Sequence, residues 1–283
     1  MSDEYSERFR AAGIAAETIA KWQRLLARLA SFPSVLVAYS GGVDSTFLAY
    51  AATLALHEKC LVIRVATDIE SQQQANFAER WAAQLGLNYR AIPFHMLERE
   101  DFAQNPPDRC YTCKRTILSL LQQVGREQHI QVFLEGQNAD DAGDYRPGRK
   151  AVLETGTLSP LAEVGLTKDE IRQLARALEL PVWNLPSSPC LATRVPYGER
   201  ITAGKLHAIE AGEDYLQQLG LTQVRVRHHG DTARLEVQPA DMAEIVRRRA
   251  EVFAYFRSLG FTYVTLDLRG YSQGSLNERI TQA

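Results

Sequence analysis

An open, doubly wound and mostly parallel α/β sheet, followed by a smaller C-terminal α+β domain, is the fold class that the sequence predicts. Three observations carry it. Over roughly the first 180 residues, short apolar runs alternate with segments of helical composition, as in a parallel sheet with helices on both faces. The runs are continuous, as in Val35-Leu36-Val37-Ala38-Tyr39, which marks strands buried on both faces. Around Pro181–Pro196 the composition turns to proline-rich loop, and the strands beyond it alternate.

Residues 1–31 read as one helix, stopped by Pro33. Val35–Tyr39 is the first strand, a loop spans Ser40–Ser45, and Thr46–Leu56 opens a helix. Cys60–Ala66 is a second strand, Ser71–Leu85 a helix ended by Gly86, and Tyr89–Pro93 a third strand. A polar stretch from Glu98 to Asp108 leads into Arg109-Cys110-Tyr111-Thr112-Cys113-Lys114, then a helix at Thr116–Gln128 and a fourth strand at Gln131–Glu135. That strand ends in Gly136-Gln137-Asn138-Ala139-Asp140-Asp141, on the edge where doubly wound sheets hold their ligands. Beyond the junction come a helix at Thr202–Leu219, strands at Gln223–His228 and Ala233–Val237, a helix at Asp241–Leu259 and a strand at Tyr263–Leu268. The predicted domains are residues 1–195 and 196–283.

With 45% hydrophobic and 23% charged residues, the 283-residue chain buries a sizeable core. A formal charge of −2 argues against a basic surface of the kind that grips nucleic acid non-specifically. The first thirty residues lack the pattern of a secretory leader, and no apolar run approaches the roughly 20 residues that span a bilayer, so the protein is expected to be cytoplasmic, without a membrane partner. In that reducing compartment each of the four cysteines is buried filler, a metal ligand or a reactive thiol.

The most informative segment is Ser40-Gly41-Gly42-Val43-Asp44-Ser45-Thr46, between a buried strand and a helix. Two glycines let backbone approach an anion, the helix start offers unpaired N–H groups, and the hydroxyls of Ser40, Ser45 and Thr46 can donate to phosphate. Walker spacing and its lysine are missing. Asp44 suits Mg²⁺, or a helix N-terminus that favours an acid. The loop resembles the SGGxDS signature of the PP-loop ATP pyrophosphatases, which implies an adenine nucleotide alpha hydrolase-like fold, ATP as cofactor with Mg²⁺, and adenylyl transfer with pyrophosphate as leaving group.

Within that superfamily, further segments resemble the LarE family: Glu135–Asp141, Asp144-Tyr145-Arg146-Pro147-Gly148, Ser159-Pro160-Leu161, Thr167-Lys168-x-Glu170-Ile171-Arg172 and Pro189-Cys190-Leu191-Ala192-Thr193-Arg194. Tyr197-Gly198-x-x-Ile201-Thr202, Arg225-Val226-Arg227-x-His229 and Gly270-Tyr271-x-x-Gly274-Ser275-x-Asn277-Glu278 carry the likeness through the small domain. The resemblance implies a sulfur transferase of nickel-pincer cofactor assembly. ATP would adenylylate a carboxylate of a pyridinium biscarboxylic acid mononucleotide, and sulfur would replace AMP. It also implies homo-oligomers.

In the best-known members one cysteine, at the position of Cys190, gives up its own sulfur. This chain adds Cys110 and Cys113 as a C-x-x-C pair, a pattern similar to the subgroup in which three thiolates hold a [4Fe-4S] cluster that carries sulfide, resupplied by a sulfur donor. A sacrificial Cys190 beside an unrelated pair, a zinc site with His95 as the nearby histidine, and a redox pair stay open. Cys60, opening a strand, reads as core filler.

A mononucleotide phosphate and carboxylates call for cations, and Arg109, Lys114, Arg194, Arg225 and Arg227 are the candidates. Gly136 and Asn138 join the loop as candidate ATP contacts, although turns and caps use such residues too. Glu199, Glu213 and Asp214 are acid–base groups, metal ligands or surface carboxylates. The rival functions are a tRNA-thiolating PP-loop enzyme, which needs a basic RNA surface, and an ammonia-using synthetase, which has no use for three placed cysteines.

Overall fold

The core of the molecule starts at β1 (Val35–Ala38), whose first three residues are fully buried. The structure, a computed structural model, describes residues 2–143, 148–186 and 189–272. Clustering of contacts divides the chain into two compact units: Met1–Thr67 with Gln72–Phe94 and Cys110–Ser188, and Asp68–Ser71 with His95–Arg109 and Pro189–Ala283. Residues 144–147, within one of the segments noted above, and 273–283, which take in the end of another, lie outside the described residues.

In the first unit, helices α1 (Ser2–Ala11) and α2 (Ala16–Ala30) precede β1. They are not one helix, because Gly13 takes φ +74° and the Ile14 amide donates back to the Phe9 carbonyl at 3.0 Å, closing a left-handed C-cap. Then follow α3 (Val43–Leu56), β2 (Cys60–Thr67), α4 (Gln72–Gln84) and β3 (Tyr89–Phe94). The short α5 (Glu100–Ala103) lies in the polar stretch Glu98–Asp108. Helix α6 (Arg109–Glu127) starts earlier than its apolar pattern suggests, one residue after Pro106-Pro107, and so takes in the C-x-x-C pair. After β4 (Phe133–Leu134) come α7 (Gly148–Thr155), α8 (Pro160–Glu163) and α9 (Lys168–Ala177).

The four strands form a wholly parallel sheet in the order β3-β2-β1-β4. Chain order reverses at β1, so the crevice outside the carboxyl ends of β1 and β4 is the predicted ligand position. Val35, Val37 and Val62 face a core with Trp22, Phe47 and Ile171, while Leu36 and Ile63 face a second layer with Leu118 and Leu121. Both faces are thus covered, which is why these strands are continuously apolar.

The second unit holds α10 (Ala203–Gln218), β5 (Val224–His229), β6 (Thr232–Val237), α11 (Met242–Arg247), α12 (Arg249–Ser258) and β7 (Tyr263–Leu266). The single helix expected over Asp241–Leu259 breaks at Arg248, whose ψ of 15° leaves helical geometry. Its sheet runs β5-β6-β7, antiparallel then parallel. Val224, Val226, Leu235 and Val237 fill its core with Phe256. Asn105, fully buried at φ +59°, clips residues 95–109 into this unit by donating to the Val195, Pro196 and Glu199 carbonyls at 3.2, 2.7 and 3.1 Å. Among the described residues no helix is long and apolar enough to cross a membrane.

Candidate active site

The loop between β1 and α3 is built for an anion. Gly41 sits at φ +75°, and a Cβ there would lie 2.6 Å from the Ala78 Cβ, so only glycine fits. Gly42 is the N-cap of α3 and offers no side chain in front of the helix start. Ser45 donates its hydroxyl to the Gly42 carbonyl at 3.2 Å and stands 3.0 Å from the Ser40 hydroxyl, which is at the surface. Val43 is buried beneath the loop, and Thr46 is fully buried with its hydroxyl directed at Tyr39. Gly136, at the end of β4, closes the crevice: a Cβ there would meet the Ser45 amide nitrogen at 2.9 Å.

Asp44, in the first turn of α3, receives Lys168 Nζ at 2.6 Å and the Asn138 amide at 3.4 Å on one oxygen. Its other oxygen is buried without a hydrogen-bond partner. Burial pushes this carboxyl above its ordinary value, against the opposing pull of Lys168. An unpartnered buried oxygen beside a phosphate loop has the chemistry to suit a divalent cation. Lys168 was not legible as a site residue; the capping box formed by Thr167 and Glu170 fixes where α9 begins and so where Lys168 points.

Glu135, 2% exposed, follows β4 and receives Lys114 Nζ at 2.9 Å and the Ser159 hydroxyl. Lys114 therefore already has a carboxylate partner. Asn138 is held by Asp141 through its own amide at 3.0 Å, and its side-chain oxygen accepts from the Asp140 amide at 2.9 Å.

None of the four cysteines is in a disulfide. Cys110 and Cys113 lie three residues apart on α6, hence on one face, with Cys110 exposed and Cys113 half-buried. Cys190 belongs to the second unit, half-buried before a tight turn at Leu191–Arg194 that ties its carbonyl to Thr193 and Arg194. Among the described residues no group of three or more His, Cys, Asp or Glu is placed to hold a metal. Cys60 is fully buried and burial pushes its thiol up to about 11, the environment of an inert core residue.

Most of the candidate arginines are engaged within the second unit. Arg194 grips Glu213 with two bonds of 3.0 and 2.9 Å, and Glu213 also accepts from the Val226 amide at 3.0 Å. Arg227 grips Glu236 at 2.9 and 2.8 Å. Arg109, 1% exposed, donates to Asn105 at 2.6 Å and stacks 4.3 Å from the Tyr197 ring centroid. Arg225 is half-buried, 5.2 Å from the Tyr271 ring centroid, and burial followed by the Arg194 charge lowers its pKa. An arriving anion would relieve that cost. Of the carboxylates weighed with them, Glu199 meets Lys205 at 3.4 Å. Asp214 is raised by burial and then by Glu210 and Glu213.

The NAD synthase family model matches residues 16–106, which contain the phosphate loop. An uncharacterized protein of Synechocystis sp. is 38% identical over 249 residues, 87% of this chain and 93% of its own length. The pyridinium-3,5-bisthiocarboxylic acid mononucleotide synthase of Lactiplantibacillus plantarum is 35% identical over 260 residues, 92% of this chain and 94% of its own. A glutamine-hydrolysing GMP synthase chain of Methanococcus maripaludis is 30% identical over 159 residues, covering 52% of this chain and 50% of its own. With the phosphate loop at the sheet's switch point and a likeness that runs through both units, the chain belongs to the LarE family of PP-loop ATP pyrophosphatases and is an ATP-dependent sulfur-transferring enzyme.

Proposed function

We propose that the chain uses ATP to adenylylate a carboxylate of pyridinium-3,5-biscarboxylic acid mononucleotide and then replaces AMP with sulfur, giving a thiocarboxylate. A substrate carboxylate oxygen attacks the α-phosphorus and pyrophosphate leaves; a sulfur nucleophile then attacks the acyl carbon and AMP leaves. Carboxylates are poor electrophiles until converted to such a mixed anhydride, and thiolate or sulfide is a strong nucleophile near neutral pH. The observation that carries the reading is the Gly41-Gly42 loop beside Asp44, whose second oxygen is buried and unpartnered.

In this reading the loop Ser40–Thr46, with Gly136 and Asn138, forms the nucleotide site, and Asp44 would hold Mg²⁺, which when bound neutralises the departing pyrophosphate. Arg225 takes a substrate anion, supported within the second unit by Arg109, Arg194 and Arg227, and Lys114 is the candidate cation of the first unit. Cys110, Cys113 and Cys190 are the residues to hold a [4Fe-4S] cluster, which when bound supplies sulfide and makes the enzyme multiple-turnover. The soft thiols suit iron, and two of the three share one face of α6. The protein acts in the cytoplasm as a homo-oligomer, with a separate sulfur donor.

Two assays test this. Purified chain with Mg²⁺ and ATP should release pyrophosphate when the mononucleotide dicarboxylate is added and not when tRNA is; release with tRNA alone would move the reading to the tRNA-thiolating class. Protein prepared without oxygen should carry iron and acid-labile sulfide that Cys110→Ala loses. Iron-free protein after reconstitution, with one turnover per chain, would leave Cys190 as a sacrificial donor.

A further inference from the structure

The phosphate loop is braced from behind by groups that the adenylyl transfer does not itself use. Tyr39, the residue before Ser40, is 4% exposed, and its hydroxyl donates to the Ala78 carbonyl of α4 at 3.2 Å. The Thr46 hydroxyl donates to that same phenol oxygen at 3.4 Å. Ala78 is also the residue on which the backbone of Gly41 packs. The loop therefore meets α4 at one residue twice, through Gly41 and through Tyr39.

A second ring of contacts backs the first. The Tyr89 ring stands edge-on to Tyr39 with centroids 5.8 Å apart, and its hydroxyl accepts from Arg64 Nε at 3.0 Å. Arg64, itself 3% exposed, also reaches Glu79, the neighbour of Ala78, at 3.1 Å. Loop donors act on an anion at full strength only when their positions are fixed beforehand, since ordering them on binding subtracts from affinity.

We infer that Tyr39 is a positioning residue for ATP: with Thr46 it pins the phosphate loop to α4, and the Thr46 hydroxyl serves this brace instead of a phosphate oxygen. The inference rests on Ser40–Thr46 being the ATP site.

Titration of Mg–ATP into wild type, Tyr39→Phe, Thr46→Val and the double variant tests it, with thermal midpoints and steady-state kinetics alongside. Thr46→Val removes one neutral hydrogen bond and Tyr39→Phe removes two, so Kd and KM for ATP should rise about threefold to tenfold, most in Tyr39→Phe. Because both changes cut the same contact, the double variant should bind ATP about as well as the weaker single one. The kcat of Tyr39→Phe should stay within about twofold, since the brace acts on binding and not on the reacting atoms. Ala78→Val, which presses on Gly41 and touches no nucleotide, should weaken ATP in the same way. A Thr46→Val enzyme with sharply lower kcat beside a wild-type-like Tyr39→Phe would place that hydroxyl on phosphate and overturn the inference. Unchanged affinity in every variant would do the same, as would affinity losses that merely follow falling thermal midpoints. Wild type that binds no ATP would refute the phosphate-loop reading itself, and this inference with it.

Discussion

Arg194 and Arg200 stand six positions apart in the chain and each grips a glutamate with two bonds, yet their surroundings give the two pairs different weight. The side chains of Arg194 and Glu213 are 2% and 9% exposed, whereas those of Arg200 and Glu100 are 54% and 59% exposed. Removing one partner of a buried pair strands the other charge away from water. Arg194→Ala should therefore cost about 3–5 kcal/mol, read as a fall in the urea midpoint of the second unit. Arg200→Ala should leave that midpoint unmoved, because solvent screens the exposed pair. The arginines' suitability for carboxylates was legible from their planar fork. That Glu213 and Glu236 are among the carboxylates they meet was not, because the partners come from other positions in the chain.

Helix α9 shows how an element fixes a site residue. Its capping box joins the Thr167 hydroxyl to the Glu170 amide at 3.3 Å and the Glu170 carboxylate to the Thr167 amide at 2.9 Å. Thr167→Ala should cost about 1 kcal/mol in chemical denaturation. It should also loosen Lys168 at Asp44. Burial pushes Glu170 up, but hydrogen bonds from Lys21, the Thr167 amide and Thr18 together bring its pKa below the ordinary 4.5. A lowered folded pKa means that its stabilisation is complete above the unfolded value and is lost as pH falls through the folded one. Stability measured below pH 4.5 should thus decline less steeply in Glu170→Gln than in wild type. The capping pattern Thr-x-x-Glu is written in the sequence. The ends of α1 and α6 were harder to read, since a glycine cap and a Pro-Pro start act on backbone geometry and leave the apolar periodicity unmarked.

At the scale of the whole molecule, the three tryptophans, Trp22, Trp81 and Trp183, all belong to the unit that carries the phosphate loop. Tryptophan fluorescence therefore reports on that unit alone. Mg–ATP at a hundred times its Kd should stabilise the tryptophan-detected transition by about 2.7 kcal/mol, by mass action on the native state. No such shift on adding ATP would contradict binding at this loop. The protection should also weaken without Mg²⁺, because Asp44 and the phosphates would then face each other unneutralised.

The sequence by itself determined the parallel sheet, through apolar runs that need cover on both faces, and the phosphate loop, because glycines and hydroxyls at a strand–helix joint are a local feature. Local features survive being read in one dimension. Only the tertiary structure decided that Lys168 meets Asp44 across 124 positions, and that residues 68–71 and 95–109 pack with the C-terminal unit. Those outcomes depend on which segments the sheet order and the cores bring together, and no local pattern encodes a contact whose two halves lie far apart in the chain.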